Sequence, residues 1–159
     1  MTKVVATTSS VMRLCDEGKL RLLDPVIAYI PAFANHGKER ITLNNLLLHN
    51  GGLPAFKALF QTCTSPQQVL DSVYQTAMIY RTGDSTVYSD FDFILLGKIV
   101  ESVSGTTLDR YVDSVFLQPL GMTGTMYRPP ESLWDNIAPT EVDSSYRKDV
   151  GLSGGPSGR

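Results

Sequence analysis

Apolar residues recur along most of this chain every three or four positions, the spacing that places side chains on one face of a helix. The segment 90–104 is the clearest case, because its dense apolar run follows Ser89 and stops at Gly105. The same periodicity predicts three further helices, over residues 3–17, 66–78 and 107–116. Most of the chain therefore favours helical structure.

Helix-capping residues mark several of these boundaries and indicate two shorter helical segments. Gly18 is placed to end the first helix in the left-handed conformation that glycine adopts readily. The other predicted starts are a turn opened by Asp24-Pro25, a segment 43–48 capped by Thr42, a capping box at Ser65-Pro66-Gln67-Gln68, and a cap at Thr106 or Thr107.

Strand signals are weak. The segment 80–88 contains β-branched residues, but Gly83 and Asp84 interrupt it, so we predict a loop or a short strand there. The periodicity fades after Arg128, and residues 143–159 are polar or rich in Gly and Ser. The sequence thus predicts a mainly α chain with a flexible tail.

Composition restricts the class of partner. Hydrophobic residues make up 42% of the 159 positions, and 14 basic against 16 acidic residues give a formal net charge of -2. This charge argues against nucleic acid or an anionic membrane as the main partner, since both select basic surfaces. No apolar run approaches the ~18 residues of a membrane-spanning helix. No signal peptide is visible, and the compartment and the oligomeric state stay open.

The cysteine and histidine positions predict neither a metal site nor a bound cofactor. Cys15 and Cys63 lack both CxxC spacing and nearby histidines, so buried free thiols are the expected state. His36 and His49 are too far apart in sequence to indicate a shared metal ion. We expect His49 to cap the end of its helix.

The first three residues suggest catalytic chemistry. A serine nucleophile needs a nearby base, and one arrangement places a lysine one helical turn after the serine, on the same face. Lys3 would need that serine immediately before Met1, so Met1-Thr2-Lys3 alone is no evidence for an enzyme.

The succession of segments that follows Lys3 is more specific. Its parts, in order, are 11–20, 22–26, 29–31, Ile41-Thr42-Leu43-Asn44-Asn45-Leu46-Leu47-Leu48-His49-Asn50-Gly51-Gly52-Leu53-Pro54, Tyr88-Ser89-Asp90, 95–101 and Pro119-Leu120-Gly121-Met122. Over roughly residues 1–142 this resembles the serine β-lactamase-like family, which includes class C β-lactamases, penicillin-binding D-alanyl-D-alanine carboxypeptidases and related esterases.

The resemblance implies roles for three residues. Lys3 ends the family's Ser-x-x-Lys motif and would accept the serine proton. Tyr88, in the second motif, would assist proton transfer to the leaving group, and Asp90 would help hold Lys3 and the substrate. The family has Asn where Asp90 stands, and the added charge should raise the lysine pKa and make it a poorer base.

The resemblance also implies an architecture. The family fold packs a helical part against an antiparallel sheet, and this chain corresponds to the helical part of that α/β fold, with the sheet strands largely missing. We therefore expect residues 1–142 to be a partial serine hydrolase domain, truncated at both ends, followed by the tail 143–159. The third family motif, Lys-Thr-Gly or His-x-Gly, would lie beyond residue 159.

The function implied is acyl transfer through a serine acyl-enzyme, on a β-lactam, a D-Ala-D-Ala peptide or a small ester. Without the serine and the third motif, we expect this chain to be inactive by itself. A non-catalytic pseudoenzyme or an interaction module is the alternative, and an in-frame serine codon upstream of Met1 would favour the enzyme.

Three local alternatives accompany this interpretation. Tyr88-Ser89-Asp90 also fits a plain helix start, because Ser89 precedes an apolar run. Ser145-Tyr146-Arg147-Lys148 is a complete Ser-x-x-Lys, but it follows Tyr88 in a polar stretch that could not desolvate a lysine. Residues 151–156 look like a trypsin-type nucleophile segment without supporting context.

Overall fold

The structure is a computed structural model and describes residues 2–138 of the chain. The predicted tail 143–159, the Ser145–Lys148 motif and the 151–156 segment lie outside the described residues. Between residues 2 and 138 the α-helices are α1 (Ser9–Asp16), α2 (Leu43–Leu47), α3 (Leu59–Thr62), α4 (Pro66–Gln75), α5 (Asp90–Ser104) and α6 (Leu108–Val112).

Two of the predicted helices contain π-helical turns. Lys3–Thr8 is π-helical and runs directly into α1, and Asp113–Leu117 continues α6 in the same way. The sequence periodicity predicted both helices but not this wider winding. Shorter 3₁₀ turns occur at Val26–Ala28, Pro31–Phe33 and Glu131–Asn136.

Residues 2–138 contain no β-strand, and an isolated antiparallel bridge joins Pro25 to Thr42. The ambiguous segment 80–88 is a loop. The Gly83 amide donates to the Asn50 carbonyl and the Val87 amide to the His49 carbonyl, both at 2.9 Å. The mainly α prediction is confirmed for residues 2–138.

Helix α5 forms the centre of the core. The Ser89 side chain accepts a hydrogen bond from the Phe91 amide at its start, and Gly105 ends it with φ 71°, as the sequence predicted. Its buried residues pack against α1, α2 and α6. The main core comprises Val11, Leu14, Leu20, Val26, Ile30, Phe33, Ile41, Leu43, Leu46, Leu53, Leu59, Val73, Tyr74, Phe91, Leu95, Leu96, Ile99, Val100 and Tyr111.

Two other caps depart from their predicted form. Ser65 accepts from the Gln68 amide as expected, but the Gln68 side chain bonds to Thr64 rather than back to Ser65. The start of α6 uses the carboxylate of Glu101, which accepts from the Leu108 amide at 3.2 Å. A carboxylate from the preceding helix thus replaces the threonine side chain as the N-terminal acceptor.

Lys38 is fully buried, although its charge and its neighbours gave no sign of this in the sequence. Its amine donates to the carbonyls of Tyr74 and Thr76 at the end of α4 and lies 4.2 Å from the Phe33 ring centroid. Burial lowers the pKa of Lys38 to about 8, against a smaller opposing effect of Glu39. Lys38 thereby links the 3₁₀ turn at Pro31–Phe33 to the C-terminal end of α4.

Gly52 shapes the turn that carries the chain back past α2. Its φ is +101°, and a Cβ there would lie 2.5 Å from the Tyr80 carbonyl oxygen. A larger residue would therefore push the 80–88 loop away, and this loop leads directly to Tyr88.

Candidate active site

The three residues singled out by sequence lie together. The Lys3 amine donates hydrogen bonds of 2.7 Å to the Tyr88 hydroxyl and of 2.7 Å to the Asp90 carboxylate. Lys3 begins the π-helical turns, Tyr88 ends the 80–88 loop, and Asp90 is the first residue of α5. The expected approach of Lys3 and Tyr88 is confirmed, while their catalytic roles stay predictions.

Two side-chain hydrogen bonds accompany the π-helical winding around Lys3. The Thr8 hydroxyl donates to the Lys3 carbonyl at 2.9 Å, and the Ser9 hydroxyl donates to the Val4 carbonyl at 3.2 Å. Each bond reaches back five residues, which matches the π-helical repeat. These hydroxyls therefore stabilise the segment from which the lysine side chain extends.

The charge state of Lys3 follows from its two partners. Desolvation lowers its pKa, but the hydrogen bonds and charges of Asp90 and Tyr88 raise it more, so the pKa lies above its ordinary value. The side chains of Lys3 and Asp90 are 30% and 46% exposed, so this is a solvent-screened ion pair. Lys3 is therefore an ammonium group near neutral pH, as the sequence predicted from Asp at position 90.

Aromatic rings surround the amine on one side. Lys3 Nζ lies 4.5 Å from the Tyr88 ring centroid and 5.9 Å from that of Phe93. Tyr88 is 60% exposed, so one face of the cluster is open to solvent and to a substrate. The cation and the phenol hydroxyl thus lie at an accessible surface rather than in a closed cavity.

His49 ends α2 as the sequence predicted, because its backbone is left-handed with φ 55° and its amide donates to the Leu46 carbonyl at 3.2 Å. The sequence interpretation missed the contacts of its side chain. Nδ1 lies 2.7 Å from the carboxylate Oδ2 of Asp92, and the ring lies 4.6 Å from the Tyr88 ring. Leu48-His49 next to Asn50-Gly51-Gly52, and an aspartate in the apolar first turn of α5, were the available signals.

The acidity of the His49–Asp92 pair is strongly perturbed. Asp92 is 1% exposed, and burial raises its pKa to about 8 against a smaller lowering effect of Lys3. Burial lowers the pKa of His49, Lys3 lowers it further, and Asp90 opposes them. Both shifts favour the uncharged forms of the two groups.

Within residues 2–138, no group of three or more His, Cys, Asp or Glu side chains is arranged to hold a metal ion. Cys15 and Cys63 are free thiols and partly buried. Over that same part of the chain, no helix is both long enough and apolar enough to cross a bilayer.

A family model described as Beta-lactamase matches residues 1–158. The chain belongs to the beta-lactamase family. The match includes the segments that carry Lys3, Tyr88 and Asp90, and it confirms the resemblance drawn from the motifs.

Curated relatives support the same assignment. A protein of Escherichia coli (strain K12) named "Putative D-alanyl-D-alanine carboxypeptidase" is 38% identical over 164 residues, covering 94% of this chain. A protein of the same name from Salmonella newport (strain SL254) is 32% identical over 166 residues. The chain spans 38% of the length of each.

Solved structures share the fold. A class C beta-lactamase in complex with cefoxitin superposes with a TM-score of 0.72 at 23% identity, covering 86% of this chain and 38% of that one. A penicillin-binding protein homologue from Caulobacter crescentus gives a TM-score of 0.65 at 26% identity, covering 87% and 40%. The helical arrangement described above therefore recurs in larger proteins of this family.

Proposed function

We propose that this chain carries the proton-transfer site of a serine hydrolase that forms an acyl-enzyme on a β-lactam, a D-Ala-D-Ala peptide or a small ester. The observation that carries the proposal is the contact of Lys3 with both Tyr88 and Asp90 at 2.7 Å. The names of the curated relatives support a carboxypeptidase-type substrate.

The reaction needs a serine one helical turn before Lys3, which lies outside the 159 residues. The serine oxygen bonds to the substrate carbonyl carbon while its proton passes to the Lys3 amine. The carbon–nitrogen or carbon–oxygen bond of the substrate then breaks, and the leaving group takes a proton by way of Tyr88. Water later cleaves the acyl-enzyme and regenerates the serine.

Lys3 must lose its own proton before it can act as the base in this scheme. The ion pair with Asp90 opposes that loss, since it raises the pKa of Lys3. We propose that Asp90 orients the amine at some cost in basicity, and that a substrate that draws Asp90 into its own hydrogen bonds frees the amine.

Grafting tests the proposal. The 159 residues replace the matched segment of the Escherichia coli relative, and the hybrid is incubated with a labelled penicillin and examined by intact-mass spectrometry. We expect a stoichiometric adduct in the hybrid, and its loss on Lys3→Ala. Lys19→Ala is the matched control, because Lys19 follows the C-terminal end of α1 and pairs with Glu17 at 2.9 Å.

Two results would contradict the proposal. A folded hybrid with an intact upstream serine that neither binds the penicillin label nor turns over a D-Ala-D-Ala peptide or a p-nitrophenyl ester would exclude an acyl-enzyme. Labelling that survives Lys3→Ala at an unchanged rate would exclude Lys3 as the base and leave the non-catalytic alternative for this surface.

A further inference from the structure

Besides Lys3, His49 contacts Tyr88 and the backbone on both sides of it. The His49 carbonyl accepts from the Val87 amide at 2.9 Å, and its ring Nδ1 lies 3.3 Å from the Ser89 amide, which donates to it. These two amides flank Tyr88 in the chain. The His49 ring also lies against the Tyr88 ring, with centroids 4.6 Å apart. Backbone and ring contacts of His49 thus help to set the position of the phenol.

The bond from Ser89 determines which histidine nitrogen carries a proton. A backbone amide can only donate, so Nδ1 of His49 must present its lone pair to Ser89. The Asp92 oxygen Oδ2 lies 2.7 Å from that same nitrogen. A carboxylate this close to a lone pair would be repelled, whereas a carboxylic acid would donate its proton to the nitrogen. The two contacts together therefore favour a proton on Asp92, with the single lone pair of Nδ1 shared between the Asp92 acid and the Ser89 amide.

We propose that a protonated Asp92 donates to Nδ1 of His49, and that His49, held in the tautomer protonated at Nε2, is the positioning residue for Tyr88. The positioning of Tyr88 for proton transfer rests on the function proposed above. The proton arrangement of Asp92 and His49 is independent of that function, because it concerns only groups within this chain.

The surroundings of Asp92 support the neutral acid. Its other oxygen, Oδ1, is buried without a hydrogen-bond partner among the described residues. Such an orphan costs far less as the carbonyl oxygen of an acid than as half of an ionised carboxylate. Burial also raises the pKa of Asp92 to about 8.

The charged and titratable groups that face His49 come from three elements. Lys3 extends from the π-helical turns, Tyr88 from the loop, and Asp90 and Asp92 from α5. Lys3 disfavours a second proton on His49, whereas Asp90 favours it, and burial adds to the effect of Lys3. Above about pH 8 the pair loses one proton: the Asp92 proton passes to Nδ1, Nε2 releases its own proton to solvent, and the Ser89 amide loses its acceptor.

Nitrogen-15 NMR of the histidine rings tests the proton arrangement in the 159-residue chain. The chain has two histidines, and the exposed His36 is assigned with a His36→Gln variant. We expect an unprotonated Nδ1 and a protonated Nε2 for His49 between about pH 6.5 and pH 7.5, above the ordinary pKa of histidine and below that of Asp92. A protonated Nδ1 in that range, or an ordinary titration of His49 such as an unfolded chain would give, overturns the proposal.

Two aspartate variants assign the alkaline transition. Asp92→Asn cannot ionise, but its amide can still donate to Nδ1, so we expect the change near pH 8 to disappear. Asp16→Asn, an exposed residue at the end of α1, is the matched control and should keep it. A transition that persists in Asp92→Asn overturns the proposal.

The positioning role is tested in the grafted enzyme. His49→Asn retains a side-chain acceptor and tolerates the left-handed backbone at this position, where φ is 55°, whereas His49→Ala retains neither advantage. We expect His49→Ala to lower the acylation rate constant about tenfold with KM within about twofold, and His49→Asn to restore most of it. Equal acylation rate constants in the two variants and the parent hybrid would overturn the positioning role of His49. Absence of acylation in the parent hybrid counts against the proposed function alone, because the NMR result stands without it.

Discussion

The amine of Lys3 lies 2.7 Å from the hydroxyl of Tyr88, although 85 positions separate the two residues. Asp90 lies at the same distance from the amine and is the only anionic partner of Lys3 among the described ion pairs. The same lysine amine therefore contacts both a phenol hydroxyl and a carboxylate. The balance between them can be changed by a single substitution.

We predict that Asp90→Asn lowers the pKa of Lys3. The carboxylate raises that pKa both by its hydrogen bond and by its charge, and the amide retains only a hydrogen bond. The pKa is followed by NMR titration of the lysine amine, assigned with Lys3→Arg. In the grafted enzyme, the pH at which activity reaches its maximum should fall by a corresponding amount.

Asp84→Asn is the control for this substitution. Asp84 is an exposed aspartate in the 80–88 loop whose nearest cation is Arg81, at 4.0 Å. The Asp84→Asn substitution should leave the pKa of Lys3 unchanged. An equal shift in both variants, or none in Asp90→Asn, would show that the ion pair does not persist in solution.

The local helix signals of the sequence translated directly into structure. Ser89 and Gly105 bounded α5 as predicted, because caps act through backbone groups only a few residues away. The proximity of Lys3 to Tyr88 could be expected only from the family resemblance, since periodicity carries no information about contacts across 85 positions.

Other features had no such local signal. Lys38 sits beside Glu39 and Arg40 in what looks like a solvated charged turn, and its burial depends on carbonyls at the end of α4. The sequence placed His49 at the end of α2, but it could not show the contact of the His49 side chain with Asp92, which lies 43 positions later. Buried polar pairs depend on tertiary packing, which a single sequence does not show.

The buried Asp92 should make stability depend on pH. Its pKa is 3.8 in the unfolded reference and about 8 in the fold, so the folded chain binds the extra proton between these values. Stability from this group is complete below about pH 4 and is lost as pH rises toward 8, by at most about 1.4 kcal/mol per pH unit. The lowered pKa of His49 acts in the opposite sense, below its ordinary value of 6.5.

The difference between Asp92→Asn and the parent isolates the aspartate. We predict that the variant gains relative stability steadily from pH 5 to pH 8, measured by urea unfolding at each pH. A difference that stays constant over this range would mean that Asp92 has an ordinary pKa in the folded chain.

Removing the cap of α5 should destabilise the fold more than removing the cap of α4. The Ser89 hydroxyl is buried, accepts from the Phe91 amide and donates to the Pro54 carbonyl at 2.7 Å, so Ser89→Ala leaves two backbone groups without their partner. Ser65→Ala removes one exposed bond of 3.3 Å. We expect losses of about 2 kcal/mol and of about 0.5–1 kcal/mol respectively. Equal losses in urea unfolding would show that burial of Ser89 adds nothing.

The isolated 159-residue chain is predicted to be marginally stable. A largely apolar groove of about 390 Å³ runs between the first helix and the region after α6, lined by residues that include Val5, Val112, Met122 and Met126. Apolar area left in water forgoes about 25 cal/mol per Å². We expect a low and broad thermal transition, with binding of a hydrophobic dye before unfolding. A sharp transition at high temperature in the purified monomer would refute this.

The isolated chain should also be inactive toward substrates of the family. Lys3 and Tyr88 can move protons, but neither supplies the serine oxygen that would bond to the substrate carbonyl. The pKa of Lys3 is raised as well, so the amine is a poor nucleophile in its own right near neutral pH. We predict no covalent adduct with a labelled penicillin, and no turnover of a chromogenic cephalosporin or a p-nitrophenyl ester above background. Supplying a serine before Met1 alone should restore little. The family resemblance places one backbone donor of the oxyanion hole on a strand outside these residues, and one such donor contributes roughly 10²–10³-fold. Stoichiometric labelling of the 159-residue chain, located by intact-mass and peptide mass spectrometry, would overturn this prediction and would direct attention to Ser145 and Ser153.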